Sequence, residues 1–156
     1  MITAIDTNVL LDLLIPDQTH SLRSKQWLEK SLEKGQLILC EAVFAELSSQ
    51  FSSEKELEDF LSETGIRLIP TGREALYIAG QRWREFARKR EQTMRCPHCG
   101  EKMAIRCVKC SQPFVFRDRI LNDFIIGAHA ILHADLLLTR DRGFYRTYFR
   151  ELRIGA

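Results

Sequence analysis

Two aspartates follow short apolar runs of the kind that form buried β-strands. Asp6 comes directly after the run Ile2–Ile5, and Asp141 comes two residues after the run 136–139. If these strands lie parallel in one sheet, both carboxylates emerge at the carboxyl edge of that sheet. Open α/β sheets bind their ligands at this edge, so the two acids are candidates for catalysis or metal binding.

Two further acids lie on the flanks of predicted helices. Glu46 projects roughly 60° from the Val43 side of one apolar arc, and Asp123 lies roughly 60° from the Ile120 edge of another. The second arc comprises Ile120, Leu121, Phe124, Ile125, Ala128 and Leu132. Gly127, one turn after Asp123, is expected to leave room beside it because it has no side chain. Helical periodicity therefore permits both acids to converge on the sheet edge, without requiring it.

Each acid also has a purely structural interpretation. Asp6 could cap the helix that follows it, and Asp141 could begin a turn. Glu46 and Asp123 could be solvated residues at the boundary of the core. If the four do meet, close carboxylates repel one another unless a cation lies among them, so convergence predicts a site for Mg²⁺ or Mn²⁺, which prefer oxygen ligands.

Four of the five cysteines form two C-x₂-C pairs separated by seven residues, at Cys96, Cys99, Cys107 and Cys110. Each pair can present two thiolates from one turn, and four thiolates satisfy tetrahedral zinc with no open coordination position. The spacing therefore predicts structural Zn²⁺, with a redox disulfide or a reduced loop as the alternatives. His98, inside the first pair, is interpreted as a surface residue.

The pattern of the remaining chain alternates short apolar runs with helical stretches, which predicts an α/β fold around a parallel sheet. Strands are predicted at Ile2–Ile5, 37–40, 66–69, 136–139 and, as a fifth, 152–154. Helices are predicted near 20–33, 41–51, 54–63, 73–90 and 119–133. The cysteine segment 93–113 interrupts this rhythm and is interpreted as an insertion between two helices of a single domain that spans 1–156.

Charge is distributed unevenly along the 156 residues, although the formal net charge is only +2. Residues 1–80 contain 7 Lys and Arg against 13 Asp and Glu, whereas residues 81–156 contain 16 against 8. A basic half suits an anionic partner such as a phosphate backbone, but it can equally be a set of solvated helix faces. No apolar run approaches the roughly 20 residues that cross a bilayer, and the N-terminus has no basic lead, so we expect a soluble, cytoplasmic protein.

Together these motifs resemble PIN-domain ribonucleases of the VapC toxin type. The resemblance rests on Glu46 in an early helix and on the segments 5–10, 122–130 and 137–144, which read IDTNVL, NDFIIGAHA and LLTRDRGF. It covers nearly the whole chain except the cysteine segment. Four acids in the expected order, each in its expected local context, make a chance match improbable.

The resemblance implies a three-layer α/β/α sandwich and an endoribonuclease. The residues that would hold one or two Mg²⁺ or Mn²⁺ ions are Asp6, Glu46, Asp123 and Asp141. The ions would lower the pKa of a bound water, which then attacks the phosphodiester, and would stabilise charge on the phosphorus oxygens and the leaving group.

The resemblance also implies partners for these carboxylates, with Asn8 and Thr139 holding them in place. The position of Asp141 varies in role across the family. Asp118 is an alternative acid near Asp123, but its place at a predicted helix start favours capping.

The implied partners are an RNA substrate, an antitoxin protein if the chain is a toxin, and a second copy in a homodimer. Ordinary VapC-like toxins lack the cysteine segment, which could extend the substrate surface or act only as a stabilising clip. PIN nucleases of ribosome assembly combine the fold with a zinc ribbon, so a role in processing structured RNA stays open.

Two other functions compete with the nuclease hypothesis. A catalytically idle nucleic-acid-binding or scaffolding protein would use the basic half and the zinc knuckle, but the complete set of acids argues against it. A phosphatase that attacks through Asp6 is disfavoured, because that chemistry usually places a second aspartate where this chain has Asn8.

Overall fold

The computed structural model describes residues 1–15, 20–89, 94–95, 98–99, 101–103, 105–112 and 121–155. The strands in this part of the chain are β1 (Ile2–Ile5), β2 (Gln36–Leu39), β3 (Ile66–Leu68), β4 (Met94–Arg95), β5 (Lys102–Met103), β6 (Leu136–Leu138) and β7 (Ile154–Gly155). The helices are α1 (Thr7–Leu14), α2 (Ser21–Lys34), α3 (Glu41–Ser48), α4 (Glu54–Thr64), α5 (Gly72–Lys89), α6 (Leu121–His133) and α7 (Arg142–Tyr148).

Five strands form one sheet in the order β3-β2-β1-β6-β7, and every neighbouring pair is parallel. Helices flank this sheet, so the predicted α/β fold with a central parallel sheet is confirmed. The strands read as nearly continuous apolar runs because helices cover the sheet, and Leu37, Ile38 and Leu39 of β2 are all buried.

The strand order reverses direction beside β1. The chain adds β2 and β3 on one side of β1 and then returns to place β6 and β7 on the other side. Crevices at such a reversal, outside the carboxyl ends of the strands, are the usual ligand sites of open α/β sheets. The ends of β1 and β6 therefore define where a functional site is expected.

The predicted strands and helices agree with the structure to within a few residues. The structure adds the strands β4 and β5 in the cysteine segment, and it adds two short helices. These are α1 and α7, each of which begins directly after one of the candidate aspartates, Asp6 and Asp141. Both helices have eight residues or fewer, too short for a strong helical period. The predicted helix 41–51 ends earlier, at Ser48, and α6 is described from Leu121.

The helix α6 is buried more completely than its predicted apolar arc indicated. It packs on β1 and against α3 and α5, so Ile126, Ala128 and His129 are buried, whereas Leu121 and Leu132, which we placed in the arc, are exposed. A helix enclosed on several sides does not show a single apolar stripe.

The cysteine segment contains a small antiparallel pair between α5 and α6. Met94 lies opposite Met103 and Arg95 lies opposite Lys102 in β4 and β5. A tight turn follows, in which Cys107 donates its N–H to the Gln112 carbonyl at 2.9 Å and accepts from Ser111 N–H at 2.8 Å. Ser111 has a φ of 59°, in the left-handed region.

Within the described ranges, none of the helices has the length and apolar character needed to cross a membrane.

Gly127 gives room to an aromatic ring rather than to Asp123, contrary to our expectation. A Cβ at this position would lie 2.6 Å from Cζ of Phe149. Phe149 is fully buried and packs against Phe124 and Tyr145. The missing side chain therefore allows Phe149 to seal the core beside α6.

We expect Gly127→Ala to lower the free energy of unfolding by about 1–3 kcal/mol, because the confined Phe149 ring cannot move away without strain. Gly80→Ala is the matched control, since Gly80 also lies inside a helix but has no atom within 4 Å of the added Cβ. The control should gain up to about 1 kcal/mol from helix propensity. Equal effects of the two substitutions in chemical denaturation would contradict this account of Gly127.

Candidate functional site

Asp6 lies at the end of β1, at the reversal of strand order. Its N–H donates to the carbonyl of Leu138 at 3.0 Å, which continues the pairing of β1 with β6 beyond the last strand residue. The side chain is only 4% exposed. Although Asp6 occupies the N-cap position of α1, its carboxylate makes no capping hydrogen bond, so the capping interpretation does not account for it.

Two polar side chains hold one oxygen of Asp6. Its Oδ2 accepts from Nδ2 of Asn8 at 2.6 Å and from the hydroxyl of Thr139 at 2.6 Å. Asn8 Oδ1 in turn accepts the N–H of Arg140 at 3.1 Å. Asn8 and Thr139 thus contact the carboxylate for which the sequence proposed them, and within the described residues these side-chain bonds leave Oδ1 of Asp6 without a side-chain donor.

Glu46 is half-buried on α3 and is held from both sides. Its Oε2 accepts from the hydroxyl of Thr7, and its Oε1 accepts from Nδ2 of Asn122 at 2.7 Å. Sequence reasoning did not single out Thr7 or Asn122. Their positions in the sequence could have identified them, because Thr7 directly follows Asp6 and Asn122 directly precedes Asp123.

The charges of these acids act on one another. Burial raises the pKa of Asp6 to about 6, the Thr139 hydroxyl opposes that rise, and the charge of Glu46 adds to it. Asp123, half-buried in the first turn of α6, also has a pKa raised to about 6, first by burial and then by the charges of Asp6, Glu46 and Asp141. Asp123 therefore lies within electrostatic reach of the other three acids, and Asp6 lies within reach of Glu46.

Asp141 differs from the other three acids because it is exposed and already has a structural role. Its Oδ1 accepts the N–H of Phe144 at 3.1 Å and so caps α7, as its interpretation as a turn residue anticipated. Its own N–H donates to the Thr139 hydroxyl at 3.0 Å. The cap holds the carboxylate beside the site while its charge still reaches Asp123.

The donors of this cluster fit a hard divalent cation in kind. They are carboxylate oxygens, and a cation among them would replace repulsion by attraction. As the described side chains stand, no three His, Cys, Asp or Glu residues form a group arranged to hold a metal ion. The identity of the donors and their mutual repulsion are therefore the features that point to a metal.

Tyr145 is a further residue at the site that the sequence did not reveal. It is fully buried, and its hydroxyl has no hydrogen-bond partner in the described part of the chain. Burial raises its pKa well above 10, and the charges of Asp6, Asp123 and Asp141 raise it further. Tyr145 therefore stays protonated, as a hydrogen-bond donor near the carboxylates, on the helix α7 that the sequence did not predict.

Of the four predicted zinc cysteines, Cys96 falls outside the described residues. The N–H groups of Cys110 and Lys109 donate to the sulfur of Cys107 and lower the pKa of its thiol, and the Cys110 thiol adds to that effect. His98 and Cys99 are exposed. The turn therefore favours a thiolate at Cys107, while the four-cysteine zinc site stays a prediction.

Comparison with known proteins identifies the family. The PIN domain model matches residues 3–150. Comparison with curated protein sequences found no match.

Solved structures share the fold at low sequence identity. VapBC2 from Rickettsia felis, bound to a DNA fragment from its promoter, is 18% identical over 99% of this chain and 98% of that chain, with a TM-score of 0.61. VapBC-1 from nontypeable Haemophilus influenzae is 15% identical over 99% and 97%, with a TM-score of 0.59. DNA-bound VapBC from Salmonella typhimurium is 17% identical over 99% and 97%, with a TM-score of 0.55.

Nearly the whole chain is therefore accounted for by one family model, and its five-stranded parallel sheet matches the fold of these structures. The chain belongs to the PIN-domain family.

Proposed function

We propose that this PIN-domain protein is a divalent-metal-dependent endoribonuclease that hydrolyses phosphodiester bonds at the ends of β1 and β6. The observation that carries the proposal is the coupling of Asp6, Glu46 and Asp123. Burial raises the pKa of Asp6 and Asp123 to about 6, and the charges of the neighbouring acids add to that rise. Acids gathered at a strand-order reversal, and repelling one another there, favour a cation-binding site over a purely structural cluster.

Each acid has a distinct role in the proposal. Asp6, Glu46 and Asp123 bind Mg²⁺ or Mn²⁺, and Asp141 contributes from the cap of α7. When bound, the metal supplies a water of lowered pKa and stabilises charge on the phosphorus oxygens and the leaving group. Asn8 and Thr139 orient Asp6 through Oδ2.

The neighbouring side chains hold Asp6 and Glu46 in place. The Thr139 hydroxyl lowers the pKa of Asp6 against the effect of burial. Thr7 and Asn122 hold both oxygens of Glu46, so that its rotation is restricted. Such supporting contacts orient carboxylates for metal binding.

The substrate class and the biological role are inferred from charge and from family. Residues 81–156 contain 16 Lys and Arg against 8 Asp and Glu, which suits a phosphate backbone. Membership of the PIN family and the fold shared with VapBC proteins support a toxin of a toxin–antitoxin pair, with an antitoxin protein as its partner. The homodimer, the cytoplasmic location and the single-domain organisation stay predictions.

The cysteine segment is proposed to hold one structural Zn²⁺ through Cys96, Cys99, Cys107 and Cys110. Two C-x₂-C pairs support this proposal, and so does the turn at Cys107, where backbone N–H groups stabilise the thiolate. Zinc ligands of this kind must be deprotonated, so a lowered thiol pKa favours binding.

We expect Asp6→Asn and Asp123→Asn each to reduce cleavage of a labelled structured RNA, with Mn²⁺ or Mg²⁺ present, by about 100-fold or more. The reason is that a metal supplies several kcal/mol of transition-state stabilisation, which is lost with its ligand. Asp59→Asn is the matched control, because Asp59 is an exposed acid of α4 that pairs with Lys55. Chelation by EDTA should abolish cleavage by wild type and control alike.

The same variants test the proposed toxin role when they are expressed in cells. Growth arrest by wild type and by Asp59→Asn, relieved in Asp6→Asn, is expected, and co-expression of a small neighbouring reading frame should also relieve it. If wild type, Asp59→Asn and Asp6→Asn all lack cleavage activity while tight RNA binding survives EDTA, the scaffolding function is the better account.

The stability of the metal-free protein should depend on the protonation of Asp6. Its folded-state pKa is raised to about 6, so its contribution to stability is present below about pH 4 and is lost as the pH rises through about 6. Asp6→Asn removes this loss. Measured by denaturation without metal, the variant should gain about 1 kcal/mol relative to wild type between about pH 5 and about pH 8.

The difference in free energy of unfolding between the two proteins is compared, because His129 titrates in the same pH range and changes stability in the opposite direction. Burial lowers the pKa of His129 to about 4, so it removes stability as the pH falls. If the difference in unfolding stability between wild type and Asp6→Asn does not change with pH, the pKa of Asp6 is not raised in the folded protein. Addition of Mn²⁺ near pH 8 should stabilise wild type more than the variant.

Purified wild-type protein should contain about one Zn²⁺ per chain, measured by atomic emission, because four thiolates complete its shell. Cys107→Ser should lose this zinc. Cys40→Ala should keep it, since Cys40 is the fifth cysteine and is buried in the core. A wild-type protein that is prepared without chelators and contains no zinc would overturn this proposal.

A further inference from the structure

A cavity of about 250 Å³ opens between the start of α2 and the loop that follows β6. Its lining consists of His20, Arg23, Ser24, Trp27, Arg140 and Arg142. Arg140 and Arg142 flank Asp141 in the sequence, and the N–H of Arg140 bonds to Asn8, which itself holds Asp6. The cavity therefore adjoins the carboxylate site and shares a loop with it.

A buried acid fixes one side of this cavity. Asp12 on α1 is only 3% exposed, and its Oδ2 accepts from the Ser24 hydroxyl at 2.6 Å. Its Oδ1 lies 3.3 Å from Nη2 of Arg140. This contact joins α1, α2 and the loop after β6, so the lining is held in place from three elements.

The cavity keeps an excess of positive charge after this pairing. Asp12 neutralises Arg140, whereas Arg23 and Arg142 form no ion pair with an acid in the described part of the chain. Two guanidinium groups on opposite elements, α2 and α7, can both face one anion. Planar guanidinium groups bind phosphate oxygens through paired N–H donors.

The cavity also has a planar apolar surface. The Arg23 guanidinium lies over the Trp27 ring, 4.7 Å from its centroid, and Trp27 is half-buried. Aromatic rings and arginine planes are the surfaces on which unpaired nucleobases stack. A ligand that satisfies both the charge and the planar surface carries a phosphate and a base.

We infer that this cavity binds one nucleotide of a single-stranded RNA next to the scissile phosphate. Its base takes the place of the Arg23 guanidinium on the Trp27 ring, and Arg23 then contacts its phosphate together with Arg142. This inference rests on the proposed nuclease function. The shared loop gives the physical connection, because the chain that carries Asp141 into the catalytic cluster also carries Arg140 and Arg142 into the cavity wall. An acidic peptide would satisfy the arginines but offers no base for Trp27.

The arginine contacts are tested by binding of a fluorescein-labelled single-stranded RNA of about ten nucleotides, within the usual range of site sizes. The Asp6→Asn background prevents cleavage during measurement by fluorescence anisotropy. Adding Arg23→Gln and Arg142→Gln together should lower the slope of log affinity against log salt by about 0.7, the value for one phosphate contact on a single strand. Affinity near physiological salt should fall about fourfold.

Matched control variants separate this effect from general loss of charge. Arg67→Gln with Arg73→Gln removes the same charge from exposed positions of β3 and α5 and should leave both slope and affinity nearly unchanged. Trp27→Leu should weaken RNA binding about tenfold, through loss of stacking, and Trp27→Phe should restore most of it. Competition by inorganic tripolyphosphate should depend on Arg23 and Arg142 and not on Trp27.

Three results would overturn the inference. These are equal behaviour of the two double variants, unchanged binding by Trp27→Leu, and competition by a short polyglutamate peptide as effective as that by unlabelled RNA. The last result would assign the cavity to an acidic protein segment. If the RNA-binding losses occur but wild type does not cleave RNA, the cavity assignment holds and the nuclease proposal fails. If wild type cleaves RNA, Asp6→Asn does not, and the cavity variants bind RNA normally, the nuclease proposal holds and the cavity assignment fails.

Discussion

The hydrogen bond between Thr139 and Asp6 connects the ends of the two central strands, and the remaining site is arranged around it. The parallel pairing of β1 with β6 brings the two residues together from opposite ends of the chain. A carboxylate that is only 4% exposed would be unfavourable without such donors. The Thr139 hydroxyl also accepts the N–H of Asp141, so one side chain positions two of the four acids.

Burial and mutual repulsion destabilise the ionised acids of the site, and a bound cation would relieve that destabilisation. The raised pKa values of Asp6 and Asp123 mean that their ionised forms are less stable in the folded chain than in water. A cluster kept only for stability would favour apolar residues or paired charges at these positions. The mutual repulsion of Asp6, Glu46 and Asp123 therefore favours a function that uses their charge.

The features that could be predicted from the sequence were those that local pattern determines. The run before Asp6 and the run before Asp141 gave the strands, and parallel pairing then placed both acids at one edge. Contacts between distant elements were not accessible in the same way. Thr7 and Asn122 meet at Glu46 because α1 and α6 both pack against α3. Tyr145 lies on a helix too short to leave a clear period in the sequence.

The same limit explains the errors in α6 and at Gly127. A helical wheel assumes one buried face, but α6 is enclosed by β1, α3 and α5, so its exposed and buried positions do not follow one stripe. The room beside Gly127 was assigned to Asp123, its neighbour on the helix. The structure gives that room to Phe149, a residue 22 positions later whose approach no local rule describes.

The division of the chain into an acidic and a basic half has a structural counterpart at α1 and the loop after β6. Asp6 lies at the start of α1 and Asp12 inside it, whereas the loop supplies Arg140 and Arg142. Asp12 and Arg140 form an ion pair across this boundary. A polyanion that approaches along this boundary meets attraction from the arginines, and repulsion from the carboxylates unless a cation neutralises them. Binding of nucleic acid at the carboxylates and binding of metal should therefore favour one another, because each supplies the charge that the other lacks.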